Sequence, residues 1–591
     1  MLASDRLKGQ DLGWRDSIKR FFTVFVWIAV EPPQLVQSPQ GYLCGWKEKR
    51  GYNAAPMGRS FASVVRWLFD SEHGLSNRLI PRWLFLRALG LIYFSAFYSL
   101  LFQIRGLIGP DGILPANDYL NAVAASLGPY GRFWFAPTLL WLSTSSHMLM
   151  ALCWLGLIAS LLIVLNFWPR GMLVICFVCF LSFVSAAGDF SSYQSDGMLL
   201  EAGFIALFFA PGGWRPDFGA MEAPSRASYF LLQWEWFRIY FGSGVAKLAS
   251  GDPEWRHFTA MDEYYQNGPL PTWIGWYVQH LPHWFHASTT LITLILELGL
   301  VWMMFLPRRW RIVCFFIATG WQIGVILTAN YTFLNYLVLS LGVLLLDDRL
   351  LSRFLPPAWR RRVGRVTEEP SGEQGKDESW WSDFRPYLHK LKTSATAAML
   401  TWIFYVTSVE LLWMVLPTLP LPKTPVTALE PFRIANSYGL FAVMTRGRYE
   451  IEFQGTEDGV TWVAYPFRYK PQDLHTRPGI YAPYQPRFDW NLWFASLGSW
   501  REYPIVVNTE VRLLSNDRDV LSLFAGNPFP GEPPRAVRAV LWQYWFTTMS
   551  EKRANGLWWR RQELGLYAPT LARDANGKIV AVEWPTVSPR Q

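Results

Sequence analysis

The chain is poor in charge, poor in lysine and nearly free of cysteine outside its oily stretches, and each shortage removes a class of protein. Charged residues make up 17% of it, against roughly 25% in soluble globular proteins. With 51% hydrophobic residues over 591 positions, polar surface is too scarce for water to be the only solvent. The net charge of +9 does not mark a nucleic-acid binder, because binding needs charge gathered on one soluble face. Here it lies mainly in loops between apolar runs. Lysine supplies 12 of the 54 basic residues, a bias that leans toward a GC-rich bacterial genome. Of five cysteines, Cys153, Cys176, Cys179 and Cys314 stand inside apolar runs and only Cys44 outside, which excludes a disulfide framework in any exported part. The Cys176/Cys179 pair sits in the unbroken run RGMLVICFVCFLSF and reads as small buried hydrophobes rather than a redox or metal pair.

What is plentiful is oil and tryptophan. The 33 tryptophans suit helix ends at headgroup level, where an amphipathic ring satisfies both phases. A span needs about twenty apolar residues, and runs near 83–104, 146–168, 171–188, 193–211, 229–248, 287–306, 311–329, 331–346 and 397–416 reach or approach that length. The shorter stretch from Phe21 to Val30, preceded by Arg15, Lys19 and Arg20, reads as an interfacial anchor or a buried helix.

With nine crossings the basic residues separate onto alternate sides. One set of loops holds the N-terminal segment, Arg170, Arg215, Arg226, Arg308, Arg309, Arg311 and Arg360 to Arg362. The other set, 105–145, 188–196, 249–286 and the turn at Asn330, is poorer in them. Positive charge marks the cytoplasmic side. The expected organisation is a cytoplasmic basic segment 1–80, a membrane domain of about eight helices over 81–346 and a cytoplasmic basic linker 347–396. A last transmembrane helix 397–416 and a non-cytoplasmic domain 417–591 complete it.

The last region has a different rhythm. After the spacer LPTLPLPKTP, Tyr449 to Phe453 and Trp462 to Tyr465 alternate like half-buried strands, and Thr456-Glu457-Asp458-Gly459 between them supplies a turn. The spacing from Gln454 to Trp462 resembles the discoidin-type β-sandwich, often a binding module. From about 505 to 567, including Ala536 to Trp542, the pattern predicts helices. The fold class is therefore a mainly α-helical polytopic membrane protein with a β-rich, discoidin-like soluble domain that ends in helices.

Several strings, LFLRALGLIYFSAFYSLLFQIRGLIGPDGILPA, QSDGMLLEAGFIALFFAP, FRIYFGSGVAKLASGDPEWRHFTAMDEYYQNGPLPT, IANSYGLFAVMT and GNPFPGEPPRAVRAVLWQYWFT, cover most of residues 82–570 and resemble the lipase maturation factor family. The resemblance implies a multi-pass protein, of the endoplasmic reticulum in eukaryotes and of the inner membrane in a bacterium, that helps exported lipases fold and assemble. It implies a lipase-like client and membrane lipids as partners, with no cofactor, metal or nucleic acid. GSGVAKL is also distantly similar to the membrane core of vitamin K-dependent carboxylase, where a lysine in a comparable setting acts in catalysis. That similarity implies a second possibility, a membrane-embedded enzyme with Lys247 as base on a lipid, quinone-like or peptide substrate. A transporter fits less well, because no repeated halves with broken helices are visible.

Charges inside membrane helices cost roughly 2.5–3.5 kcal/mol each on insertion scales and tend to be paired and functional. Here they are Arg87, Asp196, Glu201, Glu235, Arg238, Lys247, Glu297 and Glu410. Glu235 and Arg238, three apart on one helical face, are expected to neutralise each other. Lys247 lies on the opposite face and needs another acid, for which Asp196, Glu201 and Asp252 are candidates, unless it snorkels to the headgroups. Lys247, Asp196, Glu201, Glu235 and Arg238 are thus the candidates for chemistry. His280, His283 and His286 have a spacing able to hold zinc, but Pro282 interrupts their register. In the soluble part, Asn436, Tyr438, Phe441, Asp489, Trp490 and Trp493 either dock a client or pack the domain onto the membrane core, and packing is favoured.

Overall fold

The computed structural model describes residues 61–191, 193–360 and 381–585. The expectations for residues 1–60, including the Phe21–Val30 stretch, and for the 361–380 linker lie outside them.

Each of the nine apolar runs is helical. In chain order these helices are α1 (Leu79–Leu101), α2 (Ser146–Val164), α3 (Pro169–Val184), α4 (Gln194–Phe209) and α5 (Arg226–Ala249). They continue with α6 (His283–Leu298), α7 (Arg308–Thr328), α8 (Leu334–Gly342) and α9 (Trp381–Val415). Their starts follow local chemistry. Ser145 and Ser225 cap α2 and α5 by accepting from the amides of Met148 and Ser228, and Pro169 opens α3, where its missing N–H costs nothing. Among the described residues five segments are long and apolar enough to cross a membrane: α1, α2, α6 with the 3₁₀ turn after it (His283–Phe305), α7, and Pro386–Val415 of α9. Helix α3 and the α8 segment Leu334–Leu345 are shorter apolar helices.

Close approach inside the bundle depends on small residues. A Cβ at Gly156 of α2 would lie 2.3 Å from the Phe97 ring of α1, so the glycine lets the aromatic ring fill the seam. The outer faces are oily: Leu155, Ile158 and Leu161 of α2 are all exposed.

The C-terminal part is built on one antiparallel sheet of six strands, in the order β2-β1-β3-β5-β6 with β4 beside β3. The strands are β1 (Arg448–Thr456), β2 (Val463–Ala464), β3 (Ala536–Phe546), β4 (Trp559–Leu566), β5 (Thr570–Arg573) and β6 (Ile579–Glu583). The β1–β2 hairpin turns where expected. Asp458 accepts from the amides of Val460 and Thr461, bonds that hold its carboxyl well below the usual carboxylate range, and Gly459 takes φ +80°.

One expectation is overturned: Ala536–Trp542, read as helix, belongs to the central strand. Its alanines, arginine and leucine are good helix formers, yet β1 pairs it along Arg448–Thr456 and β5 and β4 flank it on the other side. Val537, Ala539, Val540 and Leu541 are buried there. Tertiary pairing outweighs a propensity of a few tenths of a kcal/mol per residue. Helix α10 (Arg487–Leu497) precedes the stretch expected to be helical, α11 (Ile505–Leu514) falls within it, and 559–566 is strand rather than helix.

The sheet domain sits on one end of the bundle, and the loops that receive it are the basic-poor set. Asn508 donates to Ile113 O (3.1 Å), and Arg487 to Phe190 O (2.7 Å). Arg448 donates to Pro269 O (3.1 Å). Asn330 is clasped between Leu270 and 479–482: its amide donates to Leu270 O and Gly479 O, while its carbonyl accepts from the amides of Tyr481 and Ala482. The basic set closes the opposite end, where Asp348 accepts from the amides of Leu79 and Ile80, Arg170 pairs with Glu222 at 2.9 Å, and His389 meets Asp70 at 2.8 Å.

Candidate functional site

Buried charge gathers where the bundle, the connector 433–447 and the sheet domain meet. Three clusters divide it.

In the first, Asp196, in the first turn of α4, is gripped by Arg487 of α10 through two hydrogen bonds of 2.7 and 2.8 Å. Both side chains are wholly buried, and the guanidinium also lies 4.8 Å from the centre of the Phe183 ring.

In the second, Glu201, one turn further along α4, accepts from Arg238 of α5 and from the backbone amide of Asn436 (2.9 Å). Asn436 also donates from its side chain to Gly197 O at 3.0 Å, and Arg238 returns a bond to Asn436 O at 2.7 Å. The expected Glu235–Arg238 pair is therefore not formed. Arg238 turns across to the next helix, where Glu201 and a connector carbonyl satisfy it together, and neither carboxylate oxygen of Glu235 has a hydrogen-bond partner among the described residues.

In the third, Lys247 of α5 lies between both oxygens of Glu297 of α6, 2.8 Å from each, with its ammonium 5.1 Å from the Trp255 ring centre. Lys247 is only 4% exposed, so it does not snorkel, and none of the three acids expected for it is its partner. Asp196 and Glu201 are taken by arginines, and Asp252 caps the turn at Glu254 and accepts from the amide of Met444.

The six residues expected to bind a client or to pack are at this junction. Tyr438, Asp489, Trp490 and Trp493 are buried, and Asn436 and Phe441 are partly so. The Tyr438 carbonyl passes so close to α5 that a Cβ at Gly242 would lie 2.4 Å from it. In the GSGVAKL string the glycine admits the connector backbone. Phe441 and Trp490 pack at a tilt around Tyr331, with ring centres 5.0 and 6.3 Å away. Trp493 donates to Asn267 O at 3.1 Å. Asp489 accepts from the amides of Tyr469 and Lys470 (3.3 and 3.2 Å). Burial pushes its carboxyl up to about 6, against the pull of Lys470. Asn436, Tyr438, Phe441, Trp490 and Trp493 thus touch the bundle or its loops, whereas the bonds of Asp489 stay within the sheet domain.

The histidines do not converge. The ring nitrogens of His280 face Trp276 O and Thr547 O, His283 meets Asp262 at 3.0 Å, and buried His286 has neither nitrogen bonded among the described residues. Sequence reasoning missed Arg487, Glu297 as the partner of Lys247, and Asn330 as a clasp. The signal for Arg487 was present, an arginine opening the oily helix RFDWNLWF.

Two family models match the chain, the lipase maturation factor transmembrane domain over residues 80–353 and the lipase maturation factor C-terminal domain over 434–569. Lipase maturation factor 1 of Bos taurus is 32% identical over 532 residues, covering 86% of this chain and 92% of its own. Lipase maturation factor 2 of Gallus gallus is 31% identical over 589 residues (83% and 81%), and that of Homo sapiens 30% over 604 (84% and 83%). No solved structure matches the chain.

Proposed function

The chain belongs to the lipase maturation factor family, and from that premise we propose that it is a membrane-anchored maturation factor that assists an exported client such as a lipase by binding rather than catalysis. All nine apolar helices cross the bilayer, with the N-terminus cytoplasmic and the sheet domain on the exported side. That side is the inner-membrane exterior in a bacterium and the endoplasmic reticulum lumen in a eukaryote. The segregation of arginines supports this orientation, and the discoidin-type spacing at 454–462 supports a binding role for the sheet.

One observation carries the choice of binding over chemistry. The Lys247 Nζ donates to both oxygens of Glu297. A base must be free to take a proton and must reach a substrate, whereas here the lysine, Asp196 and Glu201 are each committed to an internal ion pair.

The test replaces the pair as a unit. Lys247→Met with Glu297→Gln removes both charges without stranding either. In cells depleted of the native protein, the double variant at normal membrane abundance is expected to restore active secreted lipase to the wild-type yield. Lipase activity that vanishes while abundance and domain docking stay normal would overturn binding and favour chemistry at Lys247.

A further inference from the structure

The segment Ala116–Phe135, in the loop between α1 and α2, has two unlike halves. The first buries Leu120 and Val123. At Gly128 (φ +68°) and Pro129 the helix breaks, and the second half turns its large side chains outward: Tyr130 is 88% exposed, and Phe133, Trp134 and Phe135 are about half exposed. Four aromatics in six residues facing outward is unusual for a surface meant for water.

Its neighbours fix its level. The Thr138 hydroxyl donates to Ser182 O (2.8 Å) and the Leu139 amide to the Ser182 hydroxyl (3.0 Å), in the last turn of α3. Trp134 packs edge-on against Phe432, past the end of α9, with ring centres 4.9 Å apart, and Ser145 caps α2 a few residues later. The segment therefore lies where α3 ends and α2 begins, on the end of the bundle that carries the sheet domain. Arg132 rests on the Phe133 and Trp141 rings at 4.6 and 5.0 Å, and its Nε, buried, bonds to nothing among the described residues. An arginine stacked among aromatic rings at headgroup depth meets phosphate with its guanidinium and acyl chains with its stem.

From this placement we infer that residues 128–135 form an interfacial foot seated in the adjoining leaflet, with phospholipid as its partner: headgroup phosphate at Arg132 and upper acyl chain at Tyr130, Phe133, Trp134 and Phe135. The chain passes from this surface into α2, whose own outer face exposes Trp154, Leu155 and Ile158, and that sequence of oily faces is the argument for lipid over a protein occupant. The inference rests on the reading of α2 as a membrane span.

The full chain, with Cys44→Ser, is reconstituted in phosphatidylcholine–phosphatidylglycerol vesicles. Spin labels are placed one at a time through Tyr130→Cys, Phe135→Cys, Ile158→Cys on the oily face of α2 and Asn117→Cys on the exposed first half. Oxygen is expected to relax the labels at 130, 135 and 158 several-fold more than a water-soluble nickel chelate does, with the reverse at 117. Chelate dominance at 130 and 135 while 158 reads as lipid would overturn the foot alone. Chelate dominance at 158 as well would remove the membrane reading of α2 and the foot with it.

Discussion

Arg487 and Asp196 stand 291 positions apart in sequence and meet in a two-pronged, fully buried ion pair that joins the sheet domain to the start of α4. Breaking such a pair from one side leaves a stranded charge and costs about 3–5 kcal/mol, whereas removing both partners together is often nearly neutral. Arg487→Met should therefore loosen the domain. Limited proteolysis in the connector is expected to speed up at least tenfold, and Arg487→Met with Asp196→Asn should return most of the protection. Arg487→Lys should recover only part, since a single ammonium lacks the planar fork that grips both Asp196 oxygens while also donating to Phe190 O.

The second junction makes a separate prediction. Asn436 joins three groups at once, through its amide to Glu201, its side chain to Gly197 O, and its carbonyl to Arg238. Asn436→Ala removes the side-chain bonds to Gly197 O, Glu201 and Arg433 O and keeps the backbone ones, so the expected loss is about 1–2 kcal/mol, read as a lower melting temperature in detergent. Because Asn436 and Arg487 act on different turns of α4, their losses should add within about 0.5 kcal/mol.

What was legible and what was not follows from the range of each interaction. Oily runs are local, so all nine helices could be placed from windows of about twenty residues, and arginine spacing sorted the loops into two sets whose described members the structure brings to opposite ends. The turn at Asp458 was equally local. The ion pairs were not. Neighbour logic within α5 offered Glu235 to Arg238, but the structure supplies Glu201 from another helix and Asn436 from a connector almost 200 positions away. Strand β3 failed for the same reason. Ala536, Arg538, Ala539 and Leu541 favour a helix locally, and β1, β4 and β5, distant or later in the chain, make a strand of them.

Asp489 predicts a dependence on pH. Burial raises its carboxyl to about 6, from an ordinary value of 3.8. A carboxyl whose folded value lies above its unfolded one contributes stability in full below the unfolded value, and that contribution is lost as pH rises through the folded value. The domain should thus lose stability from about pH 4 to just above 6 and then level off with respect to this group. Asp489→Asn can still accept from the amides of Tyr469 and Lys470, so it should match the wild type near pH 4 and exceed it by about 1–3 kcal/mol at pH 8. Melting curves across that range check it, and a variant that melts lower at pH 8 would refute the reading.

The seam between α1 and α2 gives a test inside the membrane. Gly156 leaves room for the Phe97 ring, which is 1% exposed and also packs against Phe180 at 5.8 Å. A Cβ at 156 would press into that ring at 2.3 Å, and a ring so enclosed cannot swing aside. Gly156→Ala should therefore cost about 1–3 kcal/mol by overpacking, although alanine is the better helix former by about 1 kcal/mol. Phe97→Leu trims the ring that the new methyl strikes, so the double variant should lose less than the sum of the two single losses. Melting in detergent for all four forms supplies the cycle, and strictly additive losses would show that the glycine serves something other than this contact.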